Sequence, residues 1–580
     1  MRIKSIIAPV FIGMLFSILF MPGIASANSD RIKDAFGVNV HLRERVDEAD
    51  WDTVLGKVEA TGAQWGREQF NWDVIEPSDG NYNWTTYDNV LQAYQDKNIE
   101  MLGLLTYSSS WASTNPGASD SEFYPPDLDA WKDYVGKVAE HYAGSVDTWE
   151  IWNEPNHEGF WKGSLKEYAT YYSSAVDEIK SANPDAKVIL GGVSGADAVW
   201  LDEFFSEVDD KSDIEVVAIH PYRTIDGNFN YMPERTGAGL NPLYVDIYNV
   251  KAVMNKHGFT DTPIWITEAG WTTYSGGITE NMQAKYLMRF YTIALSIPNV
   301  KKVFWYTMTD SSADESYLES QFGLVDHEYK PKPAYHAYKF MQRNLNRKYF
   351  EGMNLPEYRI IDNFVSSKGW HFSETECTSG ALDDHDGGTM KVYYNFTGNG
   401  NCYAPIALQK QLPGRIKALQ FKVKGDNDDT TLRVRITDNK GETFQYNLGY
   451  MPKEWLFYTI QLKNYQGSWG GNNDGKLDYP LTFDSFILDD ADGSLEEGTV
   501  YIDELYASKI ADAYLYRFHK GHYDMYAYWN TQRAKSLLLD LTGVGQMRVK
   551  IFQKSNVLKS SGDGRFKVGG NKALRYLQTL

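Results

Sequence analysis

Two glutamates, Glu154 and Glu268, stand 114 residues apart, each at the end of an aromatic-rich apolar run, 148–153 and 263–267. Paired carboxyls are the tools of glycosidic-bond cleavage. One must be protonated to assist the departing oxygen, the other ionised to attack the anomeric carbon. Where anomeric configuration is retained, the two groups stand about 5–5.5 Å apart. A lone glutamate at a strand end is as readily a surface ion-pair partner. Glu68, Glu158 and Asp310 are rival carboxylates in less specific surroundings.

Holding two such groups together requires a scaffold. From Asp34 to about Asn346, strand-like runs at 36–41, 63–70, 100–107, 148–153, 187–193, 214–220, 263–268 and 302–308 alternate with amphipathic stretches such as 127–142 and 168–179. Eight such units, at about 38 residues each, are the count of a (β/α)8 TIM barrel. A doubly wound sheet would want a glycine-rich phosphate turn, and neither G-x-G-x-x-G nor G-x-x-x-x-G-K-[ST] occurs. In a barrel, chemistry sits at the C-terminal ends of the strands. Those ends carry His41, Arg67 and Glu68, Tyr107, Asn153-Glu154-Pro155-Asn156, His220-Pro221-Tyr222, Thr267-Glu268-Ala269-Gly270-Trp271, and Trp305-Tyr306. At the mean pitch, the two glutamates fall on the fourth and seventh strands, across the mouth.

The run Trp149-Glu150-Ile151-Trp152-Asn153-Glu154-Pro155-Asn156 resembles the acid/base motif of clan A retaining glycoside hydrolases. Pro263-Ile264-Trp265-Ile266-Thr267-Glu268-Ala269-Gly270-Trp271 resembles their nucleophile strand. Phe160-Trp161, the stretch from Tyr168 to Pro184 and Gly191-Gly192 are most similar to glycoside hydrolase family 39. The resemblance implies that Glu154 is general acid and then base, and that Glu268 is the nucleophile. It implies Asn153 on the sugar 2-hydroxyl, Tyr222 and Arg67 on Glu268, His220 shaping that subsite and Trp305 as an aromatic floor. Plainer roles stand beside these: a satisfied rim histidine for His220, an ion pair with Glu150 or Glu68 for Arg67, core for Trp305. His41, Tyr107, Trp161, Trp271 and Tyr306 line subsites or simply pack.

The chain has 580 residues, 77 acidic and 57 basic, for a net charge of −20, which argues against nucleic acid or anionic membranes as partners. The positive start Met1-Arg2-Ile3-Lys4, the apolar run 6–20 and Ala25-Ser26-Ala27 read as a signal peptide over 1–27, making a secreted, extracellular or periplasmic protein without membrane insertion. The expected divisions are a catalytic barrel at 28–348, an antiparallel β-sandwich at 349–508 and a small β domain at 509–580. The sandwich opens on Ile361-Asp362-Asn363-Phe364 and closes on Val500-Tyr501-Ile502-Asp503-Glu504-Leu505, similar to a carbohydrate-binding jelly roll. Trp370, Trp455 and Trp469 are sugar platforms or core. Asp362 and Asp503 share a structural calcium or are two separate carboxylates. Catalysis itself calls for no cofactor. Cys377 and Cys402, the two cysteines, pair in an exported chain or remain buried thiols. The expected activity is secreted, retaining hydrolysis of a β-linked polysaccharide or oligosaccharide, xylan-type or a bacterial exopolysaccharide. A glycan-binding protein without catalysis and a transglycosylase are the alternatives. Oligomeric state is not legible.

Overall fold

β-branched and aromatic runs favour extended backbone, and in the N-terminal half they close on themselves. In the computed structural model, β1 (Phe36–Asn39), β2 (Trp65–Asn71), β3 (Glu100–Thr106), β4 (Thr148–Asn153), β5 (Lys187–Ser194), β6 (Val217–His220), β7 (Ile264–Ala269) and β8 (Val300–Trp305) form a closed parallel barrel. They pair in sequence order, and β8 returns to β1 with Val38 opposite Trp305. This is the expected (β/α)8 barrel. The structure describes residues 32–224, 227–234, 242–297, 299–354, 358–385, 389–398, 402–426, 430–453, 455–490, 497–508, 513–520, 523–530, 537–540, 546–551, 554–559, 565–568 and 575–579. The segment 1–27, read as a signal peptide, lies outside the described residues.

Helices cover the barrel because their apolar residues recur on one face. Leu128–His141 buries Trp131, Tyr134, Val135 and Val138, and Asp127 caps it by accepting from the backbone of Asp129 and Ala130. Leu165–Ala182 starts in a reciprocal Ser164–Glu167 capping box. Inside the barrel, Leu102, Ile189, Val216, Ala218, Trp265 and Phe304 form an apolar plug. Period-two alternation along the strands then lifts polar residues into the next layer. Asn39, Arg67, Glu150 and Thr267 are there, all buried.

Two six-stranded antiparallel sheets follow the barrel. One contains Tyr358–Asp362, Thr378–His385, Thr389–Phe396, Ala418–Gly425, Leu456–Gln461 and Glu497–Ser508; the other contains His371–Phe372, Tyr403–Gln411, Thr430–Thr437, Glu442–Tyr450, Gly467–Gly470 and Thr482–Asp490. Their inner faces share an apolar core that includes Trp370, which stacks on Phe486. Trp370 is therefore core. Cys377 and Cys402 form a disulfide with Cα atoms 5.9 Å apart.

The division at 349 differs from the expected one. The strand β9 (Tyr349–Asn354) does not join the sandwich but pairs with Ala513–Lys520, in a sheet with Tyr523–Asn530, Gln546–Ile551, Lys554–Lys559 and Arg575–Thr579. The sandwich is thus inserted between two adjacent strands of the terminal sheet. Sequence pattern could not place β9, because its partner follows only after the whole insertion. Tyr516, Phe518, Met525, Ala527 and Trp529 of that sheet belong to the barrel's own apolar cluster, so the terminal sheet packs on the barrel. Among the described residues, no helix is long and apolar enough to cross a membrane.

Candidate active site

The strand ends bring the two motif glutamates to one place. Glu154 follows β4 and Glu268 lies on β7; both are largely buried. One carboxylate oxygen of each, and a ring nitrogen of His220 from β6, all lie within 4.8 Å of one another. The backbone turns left-handed at Trp152 (φ 69°) and Glu154 (φ 46°), a conformation costly for residues with a Cβ. Surrounding contacts hold it there. The Trp152 indole donates to Phe160 O at 2.7 Å, and Glu154 N donates to Gly192 O at 3.0 Å. Gly192 must lack a side chain, since a Cβ would stand 2.0 Å from His220 Nε2.

The two carboxyls are held differently. Glu268 Oε1 accepts from Arg67 Nη1 at 2.6 Å, and Oε2 accepts from the Tyr222 hydroxyl at 2.9 Å. Burial would raise its pKa, but the positive charges of His220 and Arg67 and these hydrogen bonds hold it below the usual carboxylate range. Glu154 receives no arginine. Its Oε1 lies 2.9 Å from His220 Nδ1.

Beneath the pair runs a buried network. Arg67 Nε donates to Glu150 Oε2 at 2.6 Å, Nη1 also to Asn39 Oδ1 at 2.9 Å, and Nη2 to Asn153 Oδ1 at 3.1 Å. Glu150 Oε1 accepts from the Thr267 hydroxyl and from Gly192 N, both at 2.9 Å. The Thr267 oxygen, 3.0 Å from His220 Nε2, is left to accept from that nitrogen. His220 is thereby fixed with a proton on Nε2, and Nδ1 is the position that changes. Burial opposes protonation of the ring, yet Glu268 and Glu154 outweigh it and raise the His220 pKa. Glu154, His220 and Glu268 are also the one cluster of metal-ligand types among the described residues. A histidine favoured as imidazolium is a poor ligand, and Arg67 already balances Glu268.

Of the other rim residues, Tyr107 and Tyr306 stay half-exposed. Tyr107 meets Trp152 edge-on at 5.4 Å. The Tyr306 hydroxyl accepts from Arg45 Nη2 at 2.6 Å and donates to Glu319 Oε2 at 3.3 Å. His41 packs against Tyr306 with ring centroids 5.8 Å apart. Burial, then Arg45 and Arg67, push its pKa well down. Trp305 and Trp161 require correction. Trp305 is fully buried, stacked on Trp271 at 6.0 Å, with its indole donating to Phe322 O at 3.3 Å. Trp161 is buried against Trp152 and Tyr168 and donates to Ser164 O. Neither offers a face to a ligand, because both are buried among their neighbours. The rival carboxylates lie elsewhere: Glu68 against Tyr94, Glu158 exposed, Asp310 paired with Lys332 at 3.0 Å.

In the sandwich, Asp362 Oδ1 accepts from Phe364 N and Oδ2 from the Trp370 indole, while Lys422 stands 3.7 Å from Asp503. Calcium takes six to eight oxygen ligands. Two carboxylates already engaged by N–H donors and a lysine do not fit it.

Thr267 and the bridging role of Glu150 went unread in the sequence. Their signal was alternation: residues 265 and 267 share a strand face, so a polar Thr267 next to an apolar Trp265 marks the inner polar layer. Arg45 and Glu319 carry no motif, and only barrel closure brings them to Tyr306.

A (β/α)8 barrel with two glutamates converging at the C-terminal ends of β4 and β7 is the class of protein this site defines. The family model of glycosyl hydrolases family 39 matches residues 70–362, and the chain belongs to that family. A beta-xylosidase from Geobacillus stearothermophilus is 25% identical over 290 residues, covering 45% of this chain and 56% of that protein. The chain thus spans little more than half of that relative's length. Endo-1,4-beta-xylanase B from Thermotoga neapolitana is 24% identical over 286 residues, covering 46% and 77%. Among solved structures, a family 39 glycoside hydrolase from Bacteroides cellulosilyticus WH2 aligns with a TM-score of 0.47 at 19% identity, covering 75% of this chain and 82% of that one.

Proposed function

We propose that this protein is a retaining glycoside hydrolase that cleaves β-linked, xylan-type glycans by double displacement. The observation that carries this reading is the asymmetry of the glutamate pair. One oxygen of each within 4.8 Å of the other supports the spacing of a retaining pair, about 5–5.5 Å, over the about 6.5–9.5 Å of an inverting one. Glu268, clamped by Arg67 and Tyr222, is the ionised attacker.

In the first step, the Glu154 proton passes to the glycosidic oxygen as its bond to C1 breaks, and a Glu268 oxygen bonds to C1. In the second, Glu154 takes a proton from water, the water oxygen bonds to C1, and the ester to Glu268 breaks. His220 serves both states of Glu154. Neutral, its Nδ1 accepts from the protonated carboxyl; as imidazolium, it donates to the carboxylate. Asn153 spends its Oδ1 on Arg67, which turns its amide nitrogen away from the arginine and toward a sugar 2-hydroxyl. The named activities of the xylan-cleaving relatives support a β-xyloside substrate.

The decisive experiment compares wild type with Glu268→Gln on β-xylan and aryl β-xylosides, following reducing ends and the first-formed anomer by NMR. Equal turnover by the two proteins, or an inverted product, overturns the mechanism. We further infer export, from the charged start, the apolar run 6–20 and Ala25-Ser26-Ala27. N-terminal sequencing of the protein in culture medium should begin at Asn28; retention in the cell with Met1 intact overturns it.

A further inference from the structure

One outer face of the sandwich gathers cations and aromatic rings in a chain whose net charge is −20. Tyr393 is 41% exposed, and Tyr501 and Trp455 are half-buried. Lys391 Nζ lies 4.4 Å from the Tyr393 ring centroid and 5.8 Å from that of Tyr501. Lys424 Nζ lies 4.8 Å from Tyr501 and 5.6 Å from Trp455, and Lys422 Nζ lies 4.6 Å from Trp455.

Register explains the array. Lys391 stands opposite Tyr501, Tyr501 opposite Lys424, and Trp455 precedes Leu456, the partner of Val423. The alternate residues Val392, Val423, Val500 and Ile502 are fully buried in the sandwich core. The core is complete without the outer row, so packing does not call for it. Three strand spacings of about 4.8 Å carry the row about 14 Å, the reach of a few sugar rings.

We propose that this face binds a glycan chain that carries sparse carboxylates, a uronate-substituted polysaccharide. The flat rings of Tyr393, Tyr501 and Trp455 meet the apolar faces of sugars. Lys391 and Lys424 meet the uronate carboxylates. Lys422, 3.7 Å from Asp503 and 3.8 Å from Glu504, is matched within the protein and holds the Trp455 ring in place. A dense polyanion would be repelled by the chain's overall charge, whereas one carboxylate among several neutral sugars would not. None of its residues belongs to the glutamate site at the strand ends, so the inference does not rest on the hydrolase reading.

Affinity electrophoresis of the full-length Glu268→Gln protein tests this, in gels holding xylan with glucuronic acid side groups, neutral arabinoxylan or dextran sulfate. Retardation should be strongest on the acidic xylan. A Tyr501→Ala/Trp455→Ala double variant should lose at least tenfold in affinity for it. Lys391→Gln/Lys424→Gln should lower binding to the level of neutral arabinoxylan, and this surface change keeps the test open even if the aromatic variant misfolds. In the wild-type background, neither change should alter turnover of a small aryl glycoside. Equal retardation on acidic and neutral xylan, equal retardation by dextran sulfate, or unchanged binding by the lysine variant overturns the proposal.

Discussion

Arg67 places Nη1 2.6 Å from Glu268 and Nε 2.6 Å from Glu150, so one guanidinium ties a mouth carboxylate to the barrel's inner layer. The planar fork is what allows it. All three groups are buried, and removing the shared cation leaves two carboxylates uncompensated. Arg67→Met should therefore lower unfolding free energy by about 3–5 kcal/mol in urea melts. Arg67→Lys restores one charge but reaches one partner, so it should regain stability in part while kcat stays depressed. If Arg67→Lys matches wild type in kcat, the forked contact is not what matters.

Tyr222 donates to the other oxygen of the same carboxylate, at 2.9 Å. Hydrogen bonds to charged groups contribute about 1.5–3 kcal/mol. Tyr222→Phe removes that donor and little volume, so the ionised form of Glu268 loses support and its pKa rises. The acidic limb of the kcat/KM profile should move up by about one pH unit. An unmoved limb with a lowered plateau would assign Tyr222 to sugar contact instead.

The barrel and both glutamates were legible because their signals are local. Strand runs were recoverable to within a few residues: 148–153 is β4 itself, and 302–308 overlaps β8 but runs past its end at Trp305. Asn153-Glu154-Pro155 and Thr267-Glu268-Ala269 carry their meaning within a few positions. What local reading could not supply was depth. Trp305 and Tyr306 are neighbours at the end of one strand, yet one is fully buried and the other faces the mouth. That difference comes from the Trp271 ring stacked on Trp305 and from the Phe322 backbone, whose carbonyl accepts from the indole, contributed by separate loops. That the sandwich interrupts a barrel-plus-β-domain arrangement was legible from resemblance, but the pairing of β9 with Ala513–Lys520 was hidden for a similar reason: long-range strand pairing leaves no trace in a window of residues.

His220 makes stability depend on pH in a stated direction. It faces Glu154, Glu268, Thr267 and Arg67. Its folded pKa is raised above an unfolded value of about 6.5. The stabilisation from the protonated ring is thus fully present below about pH 6.5 and is lost as pH rises through the folded pKa. Glu268 runs the other way. Its lowered folded pKa gives stability present above about pH 4.3 and lost as pH falls through that folded value. The melting temperature should therefore fall as pH rises beyond about 6.5, and His220→Gln should flatten that decline. An equal alkaline slope in wild type and variant would remove His220 as its source.

The disulfide closes a separation of 25 residues within the sandwich. The chain-entropy model assigns such a loop about 3–4 kcal/mol. Reduction, or Cys377→Ser/Cys402→Ser, should lower sandwich stability while leaving turnover of a small aryl glycoside intact, because the described site residues at the barrel's strand ends all precede the sandwich in the chain. Calorimetry with an activity assay on the same sample separates the two effects. Loss of activity in step with reduction would mean that the sandwich supports the barrel.

Trp305 offers the sharpest contrast between packing and ligand contact. Its ring is fully covered, stacked at 6.0 Å and 27° on Trp271, with the indole nitrogen 3.3 Å from Phe322 O. A side chain so enclosed acts through the shape of the residues above it. Trp305→Ala should cost about 3–5 kcal/mol of stability, as deletion of a buried aromatic does. Trp305→Phe keeps a ring in the stack and loses the hydrogen bond, so its KM for an aryl glycoside should stay within about twofold of wild type while its melting temperature falls. A KM raised tenfold at unchanged melting temperature would place the indole against the sugar after all, and would require the loops carrying Trp271 and Phe322 to open when substrate enters.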